Sequence, residues 1–319
     1  MVGFALLQGE PIVPGEVHAA LAGRVDGRAA WFVAHALIDR SELALAAELL
    51  PAGSRSAVLF AAIGDRWGRL QATDWVGGLA EMRGEHERAA ALHREGLRWA
   101  EELSLWPEVG SKLAWLAVQT RDHGRARELA GRAYGLAVEQ DAPAAMVFAE
   151  TSLGIAARRA GELDVATGHL TRVAERGRRE TRPALYLPMV LVELGFAAEQ
   201  GGDPAAGLPL HLEAFDVAQA MGSPRDAAAA LEGMASAAGP PEVASRLLGA
   251  AAAARLAAQA PAAPAERDET DRVTGRLVAA LGRERFDALF AEGGRLGPGE
   301  ARAQAGAAVT RPAPAGTRR

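Results

Sequence analysis

The chain has 319 residues, no cysteine and a net charge of −5, and nearly half of its residues are hydrophobic. This composition is typical of a folded protein with a mixed-charge surface, and the lack of cysteine excludes disulfides, thiolate metal sites and a cysteine nucleophile. The acidic balance argues against direct binding of nucleic acid, and no apolar run is long enough to span a membrane. We expect a cytoplasmic protein.

The beginning of the chain predicts little regular structure. Residues 1–27 contain several prolines and glycines, lack the basic start of a signal peptide, and predict an irregular N-terminal segment. Residues 28–66 show a helical pattern, with Trp31 and Leu37 on one side, and predict degenerate leading helices. Lys112 is the only lysine, an arginine bias that indicates a GC-rich bacterial genome.

The stretch of residues 143–182 predicts two amphipathic helices joined by a short turn. Apolar and small residues recur at helical spacing in each half, around Leu153 in the first and Ala166 in the second. Gly161 is expected to end the first helix, because glycine adopts the left-handed conformation found at helix C-termini. Such a hairpin cannot bury its apolar faces alone, which predicts neighbours of the same kind.

The same spacing occurs five times along residues 67–260. In each copy an apolar residue precedes a small residue by thirteen positions, and a proline follows seventeen or eighteen positions later. The successive triplets are Val76, Ala89 and Pro107; Leu113, Ala126 and Pro143; Leu153, Ala166 and Pro183; Leu194, Gly207 and Pro224; and Leu231, Ala244 and Pro261. The small residue allows two helices to approach closely, and proline suits the first turn of a helix. The pattern predicts an all-α array of helix pairs with a repeat of 37 to 41 residues.

The end of the chain predicts a helical cap and a tail. Residues 261–305 contain further apolar positions at helical spacing but carry more charge, as expected of terminal capping helices with one face in water. A short last helix is expected from Gly299 to Ala305. Residues 306–319 have almost nothing to bury and are expected to be disordered.

The repeat resembles the tetratricopeptide repeat (TPR), in which a Leu-Gly pair precedes a small residue by the same thirteen positions. The pair is intact at residues 153–154 and 194–195 and altered in the other three copies. The copies are longer than the usual TPR, as in the variant found in large bacterial signalling regulators. The resemblance implies a TPR-like α-solenoid with a right-handed superhelix.

Three segments also resemble the C-terminal helical region of large actinobacterial regulators of the SARP type. They are AAIGDRWGRLQATDWVGGLAEMRGEHERAA, LEGMASAAGPPEVASRLLGAAAAAR and RFDALFAEGGRLGPGEARA, and the resemblance covers roughly residues 55–305. Family members carry winged-helix and nucleotide-binding domains upstream, and no part of this sequence resembles those domains. The resemblance therefore implies a regulatory interaction module, without transfer of DNA binding or ATP hydrolysis.

The chemistry of an enzyme is not evident in the sequence. Lys112 lacks the glycines and the following Ser or Thr of a phosphate-binding loop, and no serine lies in a nucleophile-elbow motif. His86 and His93 stand seven residues apart and lack the spacing of a zinc pair. We expect no catalytic residues, no cofactor and no metal, and keep an enzyme with a site in the groove as the least favoured alternative.

The first helices of the repeats are expected to line a concave groove that binds a protein or peptide. Positions relative to the repeat leucine predict its lining: Trp115, Gln119, Phe148, Ile155, Arg158, Arg159, Met189, Phe196, Glu199 and Gln200. Apolar anchors beside a pair of arginines would suit a peptide with an acidic flank. The rival interpretation is that Trp115 and Phe196 belong to the core.

Two functions and two local features remain open at this point. The chain is interpreted as the sensory or interaction module of a SARP-like regulator, whose partners include other domains of the same regulator, or alternatively as a free-standing scaffold unrelated to transcription. Five arginines near the end of one helix, between Arg172 and Arg182, form either an anion site or a solvated helix end. The six tryptophans, all between Trp31 and Trp115, are either core or exposed anchors.

Overall fold

The structure, a computed structural model, describes residues 58, 60–82, 84–181 and 184–309. These residues form α-helices joined by short turns, and they contain no strand, which confirms the prediction of an all-α protein for this part of the chain. The chain divides into two compact units, Met1–Ala156 (unit 1) and Ala157–Arg319 (unit 2). The expectations for residues 1–27, for the part of segment 28–66 before residue 58 and for residues 310–319 of the tail lie outside the described residues.

In unit 1 the helices follow one another with short connections. They are α1 (Arg66–Met82), α2 (His86–Glu102), α3 (Trp106–Gln119), α4 (His123–Glu139) and α5 (Pro143–Arg159), of which the last three residues belong to unit 2. α1 packs on α2, α2 on α3 and α3 on α4. Leu70, Val109 and Leu113 are buried in a core that is otherwise rich in alanine. The small side chains of the core alanines let the helices approach closely, as the repeat predicts.

Unit 2 continues with eight helices among its described residues. They are α6 (Leu163–Arg179), α7 (Leu187–Gln200), α8 (Pro204–Ala220), α9 (Pro224–Ala237), α10 (Pro241–Ala257), α11 (Pro264–Leu281), α12 (Arg283–Gly293) and α13 (Pro298–Val309). From α6 to α12 each helix packs on the next, and α7 also packs on α9. α12 and α13 both return to pack on α10.

The turn at Gly161 and the small positions of the repeat occur where the sequence predicts them. Residues 84–85, 161–162 and 201–203 separate consecutive helices, and Gly161 has the left-handed conformation (φ +82°) expected of a residue that ends a helix. Gly207 faces α7 so closely that a Cβ atom on it would lie 2.7 Å from the Gly195 carbonyl oxygen. The alanines at the other four small positions are all at most 2 % exposed: Ala89, Ala126, Ala166 and Ala244.

Two helix starts differ from the predicted prolines. α7 begins at Leu187 and has Pro188 in its first turn, whereas Pro183 lies outside the described residues. α11 begins at Pro264 instead of Pro261. In both cases a second proline a few residues further on fits the first turn, so the spacing alone does not identify which proline starts the helix.

The last helix is longer than predicted. α13 reaches Val309 and so includes the first four residues of the predicted tail. Ala301 and Ala305 are fully buried where α13 packs on α8, α9 and α10, and Arg302 pairs with Asp216 of α8. Small side chains therefore give this helix a buried face, although the sequence shows almost no large apolar residue there.

α10 and α12 cross at glycines that belong to two of the three segments on which the SARP resemblance rests. A Cβ atom on Gly249 would overlap the Phe290 carbonyl group, and one on Gly293 would overlap the Arg246 carbonyl group. The Arg246 side chain also donates to Glu292 at 3.0 Å. The RLLGAA segment of α10 and the glycine end of α12 thus form one backbone-to-backbone contact. This contact requires glycine at both Gly249 and Gly293.

Candidate functional site

In unit 1, two of the predicted groove residues share a partner on the neighbouring first helix. The Trp115 indole N–H donates to Glu81 at 2.8 Å, and the Gln119 amide donates to the other Glu81 oxygen at 3.1 Å. The Trp115 ring also stacks on His93, with 3.7 Å between the ring centroids. Both predicted residues are half-buried, so they combine a packed side with an accessible one.

The other two predicted residues of unit 1 both pack towards its core, but to different degrees. Ile155 is fully buried, and Phe148 is half-buried against the core formed around Leu113. Because a helix of this length turns its apolar positions through a wide arc, residues at groove spacing can rotate into the core. Ile155 therefore offers no accessible surface, whereas Phe148 is half-buried like Trp115.

The only lysine lies beside this group in a narrow polar slot. Lys112 is 1 % exposed, and its ammonium group contacts the Asp74 carboxylate and lies 3.1 Å from the Thr73 hydroxyl. A Cβ atom on Gly96 would lie 2.8 Å from Lys112 Nζ, so the lysine occupies the space that a side chain at Gly96 would need. Burial lowers the pKa of Lys112, and Asp74 partly opposes the effect. The lysine is therefore a structural residue in a chain that otherwise uses arginine.

In unit 2, Arg158 is buried between two carboxylates. Its Nε donates to Glu193 of α7 and its Nη1 donates to Glu269 of α11, both at 2.5 Å. Burial opposes the charge, but Glu193 and Glu269 outweigh it and hold the pKa of Arg158 above its ordinary value. The same residues act in reverse on Glu269, whose pKa stays below its ordinary value despite burial because Arg158 is adjacent. This arginine is a fixed charge that α11 helps to neutralise.

The end of α7 also pairs with α11. Glu199, whose side chain is only 8 % exposed, accepts from Arg272 at 2.7 Å and from Arg276 at 3.1 Å. The Gln200 amide donates to Glu269 at 3.0 Å. Three of the predicted groove residues, Arg158, Glu199 and Gln200, therefore contact a helix of the same chain.

α11 reaches the end of α9 as well. Arg276 donates to the Ser236 carbonyl oxygen at 2.6 Å, and Arg272 donates to the Ser236 hydroxyl at 3.1 Å. Cationic groups at the C-terminus of a helix interact favourably with its unpaired carbonyl groups. We call the surface formed by Arg158, Glu193, Glu199, Gln200 and Ser236 the α7–α9 face.

The remaining predicted residues of unit 2 surround this face. Met189 and Arg159 are half-buried, and burial lowers the pKa of Arg159. Phe196 is 6 % exposed and meets the His211 ring edge to face, with 5.2 Å between centroids. Phe196 is thus a core residue, in line with the rival interpretation, although the Arg158 guanidinium lies 5.3 Å from its ring centroid.

His211 occupies a closed site made by glycines. Its ring lies where Cβ atoms on Gly195 of α7 and Gly233 of α9 would be, and the residue is fully buried. Neither ring nitrogen has a hydrogen-bond partner among the described residues. Burial, and to a smaller extent the charge of Arg158, lowers the pKa of His211 to about 3. The histidine is a neutral packing element of the core.

The role of α11 is the feature that sequence reasoning missed. The sequence predicts residues 261–305 only as capping helices whose charged side faces water. One signal was present, since Glu266, Glu269, Arg272 and Arg276 are spaced by three, three and four residues and so lie on one face of a helix. Charge order on one helix face shows that partners are required but not which residues supply them.

The two local features left open by the sequence resolve mostly to the surface. In the arginine-rich end of α6, Arg178 makes two hydrogen bonds of 2.7 Å to Glu213, which is consistent with a solvated helix end. Trp67 and Trp106 are about 40 % exposed and Trp99 and Trp115 are half-buried, so none of these four is a fully buried core residue. The other two tryptophan side chains lie outside the described residues.

Comparison with known proteins adds no identification. No protein-family model and no curated protein matches the chain. Within the described residues, no group of three or more His, Asp or Glu side chains could hold a metal ion. Between residues 58 and 309, no described helix is both long and apolar enough to cross a membrane.

Proposed function

We propose that the chain is a protein-interaction module, a right-handed α-solenoid of TPR-like helix pairs that serves as the regulatory arm of a SARP-like transcriptional regulator. Its partner is a protein or peptide that binds along the first helices of the repeats. The observation that carries the proposal is the α7–α9 face, where residues predicted as groove lining already hold a helix through directed side-chain contacts. A surface built to pair with one helix has the chemistry to recognise another.

The proposal is tested by capture of partners from the native lysate with the tagged full chain and two matched double variants. Met189→Ala with Gln200→Ala alters a half-buried apolar residue and an exposed amide on the proposed surface. Val165→Ala with Thr167→Ala alters exposed apolar and polar groups on α6, which is the second helix of its repeat pair and lies outside the proposed surface. We expect the first variant to lose a specific partner that the second retains, with circular dichroism unchanged in both.

Three outcomes would contradict parts of this proposal. Equal capture by both variants would exclude the first-helix surface as the binding site. A captured partner without any link to transcription would favour the free-standing scaffold over the SARP-like module. Specific binding of a duplex tighter than about 10⁻⁶ M at physiological salt would contradict a module without direct DNA contact.

A further inference from the structure

The contacts of α11 differ in kind from those of its neighbours. Only three of its 18 residues are buried, namely Ala265, Val273 and Leu277, compared with eight of 17 in α10. Its links to α5 and α7 consist of side-chain hydrogen bonds and ion pairs from Glu269, Arg272 and Arg276. These contacts are directed polar pairs, and α11 buries little apolar surface for its length.

The elements on both sides of α11 are anchored without it. α10 packs on α9, and α12 crosses α10 at Gly249 and Gly293, where the backbones touch. The chain enters α11 after Gln259 and leaves it at Gly282, both of which have positive φ (+52° and +79°). α11 can therefore separate from the face between two fixed neighbours while the rest of unit 2 keeps its packing.

The charges on the two surfaces are ordered along the helix. The N-terminal half of α11 presents Glu266, which accepts from Arg225 of α9 at 2.9 Å, and Glu269, which accepts from Arg158. Its C-terminal half presents Arg272 and Arg276 to Glu199 and to the end of α9. A helix in the opposite direction would place carboxylate against carboxylate, so the face selects both the charges and the direction of its occupant.

We infer that α11 is a displaceable internal ligand of the α7–α9 face, and that the external partner of this face is a helix with the same charge order, two carboxylates followed by two guanidinium or ammonium groups at one-turn spacing. This inference rests on the proposed function and names the chemistry of its partner. In the free protein α11 satisfies Arg158 and Glu199, and the partner must compete with it. The face thus rejects helices that lack the full charge pattern.

The first test uses a fluorescent peptide of residues 264–281 and the full chain. In one variant, Glu269→Gln, Arg272→Gln and Arg276→Gln weaken the internal helix. In the control, Asp271→Asn, Arg285→Gln and Arg295→Gln remove the same charges from exposed positions. We expect the peptide to bind the first variant at least about tenfold more tightly than the wild type or the control, because the competing helix is weakened.

A second peptide tests the charge order. Exchange of the two glutamates for arginines and of the two arginines for glutamates keeps its composition, and we expect at least about tenfold weaker binding to the first variant. Equal affinities of wild type and variant for the native peptide, or equal affinities of the two peptides, would overturn the inference. If the variant instead captures its lysate partner no better than the wild type does, the inference fails while the proposed function stands.

A second measurement does not depend on the stability of that variant. The chain contains no cysteine, so a single introduced thiol reports on local opening without background. Leu277→Cys places it on the buried side of α11, and Leu289→Cys places it on the buried side of α12. We expect the first thiol to react with a disulfide reagent at least about tenfold faster under native conditions, since α11 opens without global unfolding. Equal rates would show that α11 is not separately displaceable.

Discussion

Unit 1 and unit 2 use the same repeat position for a histidine and enclose it differently. His93 and His211 each stand seventeen residues after the repeat apolar residue, and each lies against the glycine that follows that residue. In unit 1 the first helix of the following repeat, α3, contributes Trp115, and the His93 ring stacks on it. In unit 2 the first helix of the following repeat, α9, contributes Gly233, and the His211 ring fills the space that a side chain at Gly233 would occupy. The histidine therefore packs against the same glycine position in both units, whereas the third helix contributes a different residue beside it.

The faces of the two units differ in a related way. In unit 1 the polar groups at groove positions bond to one another across neighbouring first helices, through Glu81. In unit 2 the equivalent positions, Glu199 and Gln200, bond to a helix from later in the chain. The repeat register thus places polar groups on the same face of the first helices. The residues that pair with these groups differ between the two units.

The largest expected effect comes from breaking the face of unit 2. Arg158→Met should lower the free energy of unfolding by about 3–5 kcal/mol, because it removes the buried cation that pairs with Glu193 and one of the two cations that pair with Glu269. The change at the equivalent face of unit 1, Gln119→Ala, should cost only about 0.5–1.5 kcal/mol, because it removes one half-buried hydrogen bond. Urea denaturation of both variants measures the difference.

A matched control separates burial from loss of an ion pair. Arg178 makes two hydrogen bonds to Glu213, but its side chain is 40 % exposed. Arg178→Met should therefore cost at most about 1 kcal/mol. If it costs as much as Arg158→Met, burial of the two carboxylates is not the reason for the effect at Arg158.

Acid should destabilise both units through their histidines. Burial, together with Lys112 beside His93 and Arg158 beside His211, lowers both pKa values from 6.5 to about 3. Between these values the unfolded chain binds more protons, so the stability that is full above pH 6.5 is lost as the pH falls. Each histidine should contribute about 1.4 kcal/mol per pH unit.

Denaturant titrations from about pH 7 to about pH 4 measure this slope. His211→Gln removes one titrating group and should reduce the slope of the unfolding free energy against pH by about 1.4 kcal/mol per unit. The variant His123→Gln is the control, because His123 is exposed at the start of α4. An unchanged slope in the His211 variant would contradict the account of this residue as a buried neutral histidine.

Glycine positions two residues after the repeat apolar residue sharpen the same comparison. A Cβ atom on Gly233 would overlap the His211 ring, which Gly195 confines from the other side, whereas one on Gly78 would meet nothing within 4 Å. Gly233→Ala should therefore cost about 1–3 kcal/mol through overpacking. Gly78→Ala should stabilise the protein by about 0.5–1 kcal/mol, because alanine is the better helix former.

Thermal melts of the two alanine variants check the opposite signs. Addition of His211→Ala to the Gly233→Ala variant should recover part of the loss, since the overlap disappears. A destabilised Gly78 variant, or a neutral Gly233 variant, would show that these two positions are not packed as described.

Much of the helical framework could be predicted from the sequence, because apolar and small residues report directly on helix faces and close approaches. Gly161 as a helix end follows from the left-handed conformation that glycine adopts, and Gly207 as a contact point follows from the spacing of the repeat. The partners of Arg158 and Glu199 could not be predicted in this way. They lie 111 and 73 residues away, on α11, and hydrophobic periodicity carries no information about which charged faces meet. Phe196 shows a second limit, since a small rotation of a helix moves a groove position into the core.

Hydrogen–deuterium exchange of the full chain tests most directly whether α11 is held on the α7–α9 face as a separable helix. We expect the amides of residues 264–281 to exchange faster than those of α10 and α12. Added salt should widen the difference in exchange rate, because it weakens the ion pairs of α11. A saturating peptide of residues 264–281 should speed the exchange of α11 further while leaving α10 unchanged. Equal protection of α10, α11 and α12 under all of these conditions would show that α11 is not a separable helix.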